Sequence, residues 1–391
     1  MKTARALALA CLATVAAAAS AQPFTPRQDD EVVERLPLRA GSAGERARQR
    51  AEQRVLAQQP RDLGLALRAA REAVERSRRY GDPRDLGTAQ AWLQPWWNDP
   101  AAPPAARLLK ATVLQARHDF DPALEELDRL LRERGLPAAL QAQAELTRAG
   151  VLQVRGRWNE AREGCQRLAA PPLSLSHGHA CLAELDSLQG KDAEATQRLA
   201  ALDRAPGAPH AWIALLRAEL AERQGLATAG ALYARALQLD DDLYVRAGYA
   251  DWLLDAGRPK EAAAIVRAGQ LEGLDQIPDA LLLRLAIAWT RSGSPEAGRA
   301  ATEMQQRFDA AALRGDTSHA RERGRFALDV RGDAATALEE ALTNWAQQRE
   351  PADAVLLVRA ARAAKQPDAA EPVRRFVREQ SMQDRRLEKR P

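Results

Sequence analysis

The sequence predicts an all-α fold, a solenoid of stacked helical hairpins. Three observations carry that prediction. A small residue, nearly always alanine, recurs about every 34 residues inside one local pattern. The clearest copies are Gly156-Arg-Trp-Asn-Glu-Ala161, Gly190-Lys-Asp-Ala-Glu-Ala195, Gly257-Arg-Pro-Lys-Glu-Ala262 and Gly332-Asp-Ala-Ala-Thr-Ala337. In each, the glycine ends one helix, the alanine lets the next helix lie close to it, and the period sets one hairpin. The second observation is composition: 46% apolar but only 4% aromatic. The apolar residues are therefore mostly Ala and Leu, which with many Arg and Glu favours helix and argues against sheet. The third is length. A chain of 391 residues would ordinarily divide into two or three domains, but repeats bury their faces against their neighbours and extend one core along an axis.

The first 21 residues read as an export signal. Lys2 and Arg5 give a positive start, an apolar run follows over 6–19, and Ala19-Ser20-Ala21 fits small-x-small cleavage, so the mature chain begins at Gln22. The run is short of the ~20 residues that span a bilayer, and Cys11 lacks the upstream leucine of a lipidated cysteine. Later segments carry no long apolar stretch, so a soluble periplasmic or secreted protein, without a transmembrane segment in its mature chain, is expected. Residues 22–44, with Pro23, Pro26, Pro37 and Gly41, read as a disordered leader. Helix is expected over 45–59. Asp62 caps a long helix ending at Tyr80, Gly81-Asp82-Pro83 is a turn with proline at a helix start, and the next helix covers 84–93.

From there the anchors are Ala123, Ala161, Ala195, Ala229, Ala262, Ala297, Ala337 and Ala370, following Ala89. Their steps are 38, 34, 34, 33, 35, 40 and 33. The two long steps place insertions at 132–136 and 311–317, expected as loops on one edge of the stack. The array is thus read as about nine hairpins over 45–380, followed by a charged tail, 381–391, expected to fray.

These residues resemble the tetratricopeptide repeat (TPR), a 34-residue helix–turn–helix with a small residue at position 8, Gly at 15, an aromatic near 17 and Ala at 20. The copy ending at Ala123 has Ala111 at position 8 and Phe120 at 17. The copy ending at Ala161 has Ala149 and Trp158 there, and the segment from Ala250 to Ala262 fits best. In the copies at Ala89, Ala297 and Ala370, Arg84, Ser292 and Lys365 replace the glycine. The resemblance covers roughly residues 60–378 and implies a superhelix that binds peptides or helices on its concave face. More loosely, Gly81-Asp-Pro-Arg, His118-Asp-Phe, Arg314-Gly-Asp and the segment from Asn344 to Asp353 resemble exported repeat proteins of Gram-negative bacteria. That likeness implies a compartment and no activity.

Mapped onto the chain, the concave positions of the resemblance give Glu184, Glu222, Asp251, Asp255 and Trp289 as a candidate protein-binding groove, with Asp279 also among them. The groove reads as acidic with apolar gaps. A cationic or amphipathic helical segment is the expected occupant. Trp92, Trp96 and Trp97 cluster with Pro95 and are read as a cover for the first hairpin or as a ligand-binding aromatic patch.

Other chemistries find little support. The formal net charge of +4 falls to +2 once Lys2 and Arg5 leave, without the clustered charge that nucleic acid requires. No nucleophile elbow, zinc-protease helix or phosphate loop occurs, so no catalytic residue and no cofactor is assigned and the chain is read as non-enzymatic. Cys165 and Cys181 fall on neighbouring helices and form a candidate disulfide. His177 and His179 lie between them, but the spacing is not that of a structural zinc site, and no metal is assigned. A metal- or thiol-dependent activity around that pair, and envelope-polysaccharide binding through tryptophans, are the alternatives to an exported scaffold serving an envelope complex.

Overall fold

The computed structural model describes residues 24–28, 30–31, 43–268, 273–316 and 318–388. The expected signal and its cleavage site, and most of the leader, lie outside them. Among the described residues there is no strand. A first helix, α1 (Ala43–Gln58), precedes nine hairpins. These pair α2 (Leu63–Tyr80) with α3 (Pro83–Trp97), α4 (Pro104–Ala116) with α5 (Phe120–Leu131), and α6 (Ala138–Val154) with α7 (Trp158–Ala169). Next come α8 (Ser176–Leu188) with α9 (Asp192–Leu202), α10 (His210–Arg223) with α11 (Ala229–Leu239), and α12 (Leu243–Asp255) with α13 (Pro259–Arg267). The last three pair α14 (Asp279–Ser292) with α15 (Ala297–Leu313), α16 (Ala320–Phe326) with α17 (Ala334–Gln347), and α18 (Pro351–Ala363) with α19 (Glu371–Gln380). Each helix packs on the next, giving the TPR-like superhelix.

Local chemistry sets the hairpin ends. Asp62 and Asp82 cap α2 and α3 by accepting the Leu65 and Arg84 amides at 2.9 Å. Every turn inside a hairpin contains a left-handed residue: Gly81, His118, Gly156, Gly190, Gly225, Gly257, Gly293, Gly332 and Lys365. The turns that lack glycine in sequence therefore adopt the same geometry, with His118 and Lys365 at φ 63° and 58°. Ala89, Ala123, Ala161, Ala195, Ala229, Ala262 and Ala337 have no exposed surface, and Ala370 has 3%.

Ala297 is a correction. It is the first residue of α15 and only half-buried, whereas Ala300 is fully enclosed. The Ser294–Glu296 turn holds Ala297 ahead of the contact with α14, through the Ala297 amide to the Ser294 carbonyl at 3.1 Å. The residues expected as a loop insertion instead lengthen α15 as far as Leu313. Helix α3 also exceeds the expected 84–93 and passes through Pro95. Trp96 and Trp97 pack against the core of the first hairpins and hold that final turn.

The superhelix closes on itself. Turns of the first hairpins rest on the later ones. Gly81 meets Leu243 and Pro278. His118 Nδ1 lies 3.3 Å from the Ser318 carbonyl and 3.3 Å from Gln348 Nε2. The Arg349 amide donates to the Val154 carbonyl at 2.7 Å, and Trp158 and Trp345 both stack edge-on against Phe376. The tail continues this course rather than fraying: Met382 is 3% exposed, and the Gln383 amide donates to the Leu188 carbonyl at 3.1 Å. The reason is apolar burial, since Met382 enters the same core as Leu185, Leu188 and Trp345.

Placing a charge where two helices touch leaves it unpaired in a packed site. Ala161→Glu is expected to destabilise the protein by about 3 kcal/mol or more. Urea unfolding followed by far-ultraviolet circular dichroism measures this, and an unchanged midpoint contradicts the packing.

Candidate functional site

Closure turns the concave groove into a lumen of about 180 Å³. One wall comes from α8, α10 and α12, which present Glu184, Glu219, Glu222, Tyr244, Asp251 and Asp255. The opposite wall belongs to the next superhelical turn and presents Arg321, Arg325, Glu350, Val355, Arg359 and Arg386. Four of the five expected groove residues thus meet: Glu184, Glu222, Asp251 and Asp255.

Trp289 does not join them. It is 9% exposed within the core around α12–α15, with the Arg267 guanidinium 6.0 Å from its ring centre. Asp279 also lies elsewhere, paired with Arg307 at 2.6 Å. One residue of register on a helix rotates a side chain by about 100°, which moves it from lumen to core.

The lumen is not simply acidic. Asp251 binds Arg284 at 2.6 Å and Arg325 at 2.8 Å. Burial opposes its charge, but the two guanidiniums outweigh burial and hold the pKa well below the usual carboxylate range. Glu222 accepts the Tyr233 hydroxyl at 2.7 Å and pairs with Arg386 at 3.0 Å. Asp329 sits on a π-helical turn, Ala327–Arg331, between Arg291 at 2.9 Å and Arg359. A π turn re-aims side chains within a helix.

Sequence reading placed Asp329 and Arg359 on the concave face but missed Arg284, Arg291, Arg325 and Arg386. The repeat itself marks one of them, because Arg284 follows Asp251 by 33 residues, one period later.

Two carboxyls differ from the rest. Glu184 accepts only Gln153 Nε2, at 2.6 Å, and burial pushes its pKa up to about 7. Glu219 receives no hydrogen bond or ion pair from the described residues, and burial pushes it up to about 8, with Arg223 opposing. Burial thus favours the protonated form of both, more strongly for Glu219. Tyr244, 58% exposed at the mouth, has its own pKa raised by the neighbouring Glu219. Arg223 is 7% exposed and donates Nη2 to Ser187 Oγ at 2.6 Å, while its Nε has no partner.

The other candidates are structural in position. Trp92 is 3% exposed and packs with Ala66, Ala69 and Val113, while Trp96 and Trp97 are half-buried beside it. The patch, read as a cover for the first hairpin or as a binding surface, thus packs mostly into the core, because α3 extends far enough to press it onto α2. Cys165 on α7 and Cys181 on α8 are bonded to each other, with Cα atoms 5.7 Å apart. No free thiol remains there for the alternative reading. His177 lies 6.1 Å from Trp212. Among the described residues no group of His, Cys, Asp and Glu could hold a metal ion, and no helix is long and apolar enough to cross a membrane.

No family model matches the chain, and no curated protein matches it. Two solved structures are similar to it. The TPR domain of P58(IPK) is 16% identical, covering 81% of this chain and 92% of that one at a TM-score of 0.20. The APC/C hetero-tetramer Cut9-Hcn1 is 16% identical over 86% and 87%, at 0.26. The nine hairpins among the described residues carry the fold.

The Glu219 pKa has a thermodynamic consequence. Between the unfolded value and the raised folded value, the native state holds a proton that the unfolded chain has released, so stability falls as pH rises through that window. Each unit of pH there costs up to about 1.4 kcal/mol. Glu219→Gln is expected to leave the melting temperature nearly unchanged at about pH 4 and to raise it clearly at about pH 9, as read by calorimetry. Equal shifts at both values contradict the assignment.

Asp251 and Asp255 should also part ways. Asp251→Lys leaves three cations together and is expected to cost about 3 kcal/mol. Asp255→Lys at the exposed mouth should stay within about 0.5 kcal/mol. Denaturant titration distinguishes the two.

Proposed function

We propose that the chain is an exported, non-enzymatic scaffold whose lumen receives a cationic side chain from a protein or peptide segment, assisting assembly of an envelope complex. The supporting observation is Glu219. Its carboxyl has no partner among the described residues although burial disfavours its charge. An arriving ammonium or guanidinium would supply that partner and drive the proton off.

The lumen volume suits one side chain, with the segment's backbone lying outside along Tyr244 and Asp255 at the mouth. The acids near the mouth would steer a cationic segment, giving association that slows with added salt. Export is consistent with the signal-like start of the sequence and with the bonded pair Cys165–Cys181, since disulfides persist in oxidising compartments.

The partner is to be captured by cross-linking in an envelope extract, and affinity then measured with lysine-bearing segments of it. Glu219→Gln is expected to weaken binding about tenfold, equal to about 1.4 kcal/mol. Glu261→Gln on the outer helix α13 is the control and should change nothing. Equal affinity for both variants at low salt refutes the lumen as the site.

A further inference from the structure

The turn glycines of successive hairpins form a row along one edge of the superhelix. Gly156, Gly190, Gly225 and Gly257 are all left-handed, with φ of 74°, 71°, 70° and 72°. What lies against them changes along the row. A Cβ added at Gly156 would meet Phe376 at 2.7 Å and Arg349 at 3.0 Å. At Gly190 it would strike the Gln383 side chain at 2.3 Å, and at Gly225 it would touch Arg385 at 3.3 Å. At Gly257 nothing lies within 4 Å. The chain from Phe376 to Arg385 therefore follows the row, turn after turn, as far as Gly225.

Its last stretch is held differently from the rest. Residues 381–388 contribute one short 3-10 turn, Arg385–Leu387. Two backbone bonds tie the stretch to the helices: the Met382 amide donates to the Val377 carbonyl of α19 at 3.0 Å, and the Gln383 amide to the Leu188 carbonyl of α8 at 3.1 Å. That carbonyl is one of the unpaired acceptors at the end of α8. One apolar side chain, Met382, is buried there. One ion pair crosses over, Arg386 to Glu222 at 3.0 Å, while Asp384 braces Arg386 at 2.6 Å.

Beside the stretch lies a space of about 570 Å³ bordered by Asp192, Arg223 and the 47%-exposed Leu226. The unpartnered Arg223 Nε belongs to a side chain bordering this space.

We propose that this row is a docking surface for an extended peptide, with the chain's own tail as its resident occupant. The partner is a segment with an apolar residue, an acid and an arginine in the order of Met382, Asp384 and Arg386, which displaces the tail. The surface adjoins the lumen through Arg223 and Arg386 but makes no use of Glu219 itself.

The test uses the full chain and a labelled peptide with the sequence of residues 380–388. The tail competes with this peptide in the unmodified chain, so binding there is weak. Arg386→Glu loosens the tail, and affinity for the peptide is expected to rise at least tenfold. Adding Glu222→Lys to that variant removes the peptide's arginine partner and should cancel the gain. Unchanged affinity in Arg386→Glu, or equal binding of a scrambled peptide, overturns the proposal.

Hydrogen exchange on the unmodified chain gives a second reading that needs no variant. The Gln383 amide should exchange at least tenfold faster than the interior amides of α8 and α10. Exchange of Gln383 only with global unfolding overturns the proposal as well.

Discussion

The contact between successive turns of the superhelix governs the rest of the structure. Its centre is the Arg349 amide bonded to the Val154 carbonyl, with Phe376 wedged between Trp158 and Trp345. A stack of hairpins needs only neighbour contacts to persist. Here residues nearly 200 positions apart also touch, as in Arg155 with the Gln347 carbonyl. The array therefore behaves less like a one-dimensional spring and more like a closed body, and loss of one late helix would be felt by early ones.

Closure also decides the chemistry of the concave side. Arginines from the last hairpins enter opposite acids from the middle ones. Pairing of Asp251 with Arg284 and Arg325 is favourable because each charge has already lost water on entering the lumen. Glu219 is half-buried and gains no partner among the described residues, so burial raises its pKa instead. Two carboxyls in one lumen thus shift in opposite directions through their neighbours. The same closure ties Glu222 to Arg386 of the tail, which links the occupancy of the edge row to the lumen.

The regular part of this protein was legible because it is local and periodic. Alanine at the helix contact and glycine at the turn answer to steric demands within one hairpin, so Ala161 and Gly156 could be placed from the sequence alone. The register of Ala297 failed because the preceding turn consumed extra residues before α15 reached its neighbour. The tail was misjudged for a different reason. Charge density suggested fraying, but a single methionine and one ion pair across the superhelix fix it.

The sequence by itself determined the all-α hairpin array and its glycine turns, with Cys165 and Cys181 as a candidate pair and Glu184, Glu222, Asp251 and Asp255 as a candidate groove. Each follows from interactions inside one hairpin or between adjacent ones. Only the tertiary structure decided which of those acids are neutralised, that Trp92 and Trp289 are core, and that the tail lies along the turn edge. These depend on the pitch of the superhelix, which sums small rotations over many hairpins. No local pattern encodes that sum.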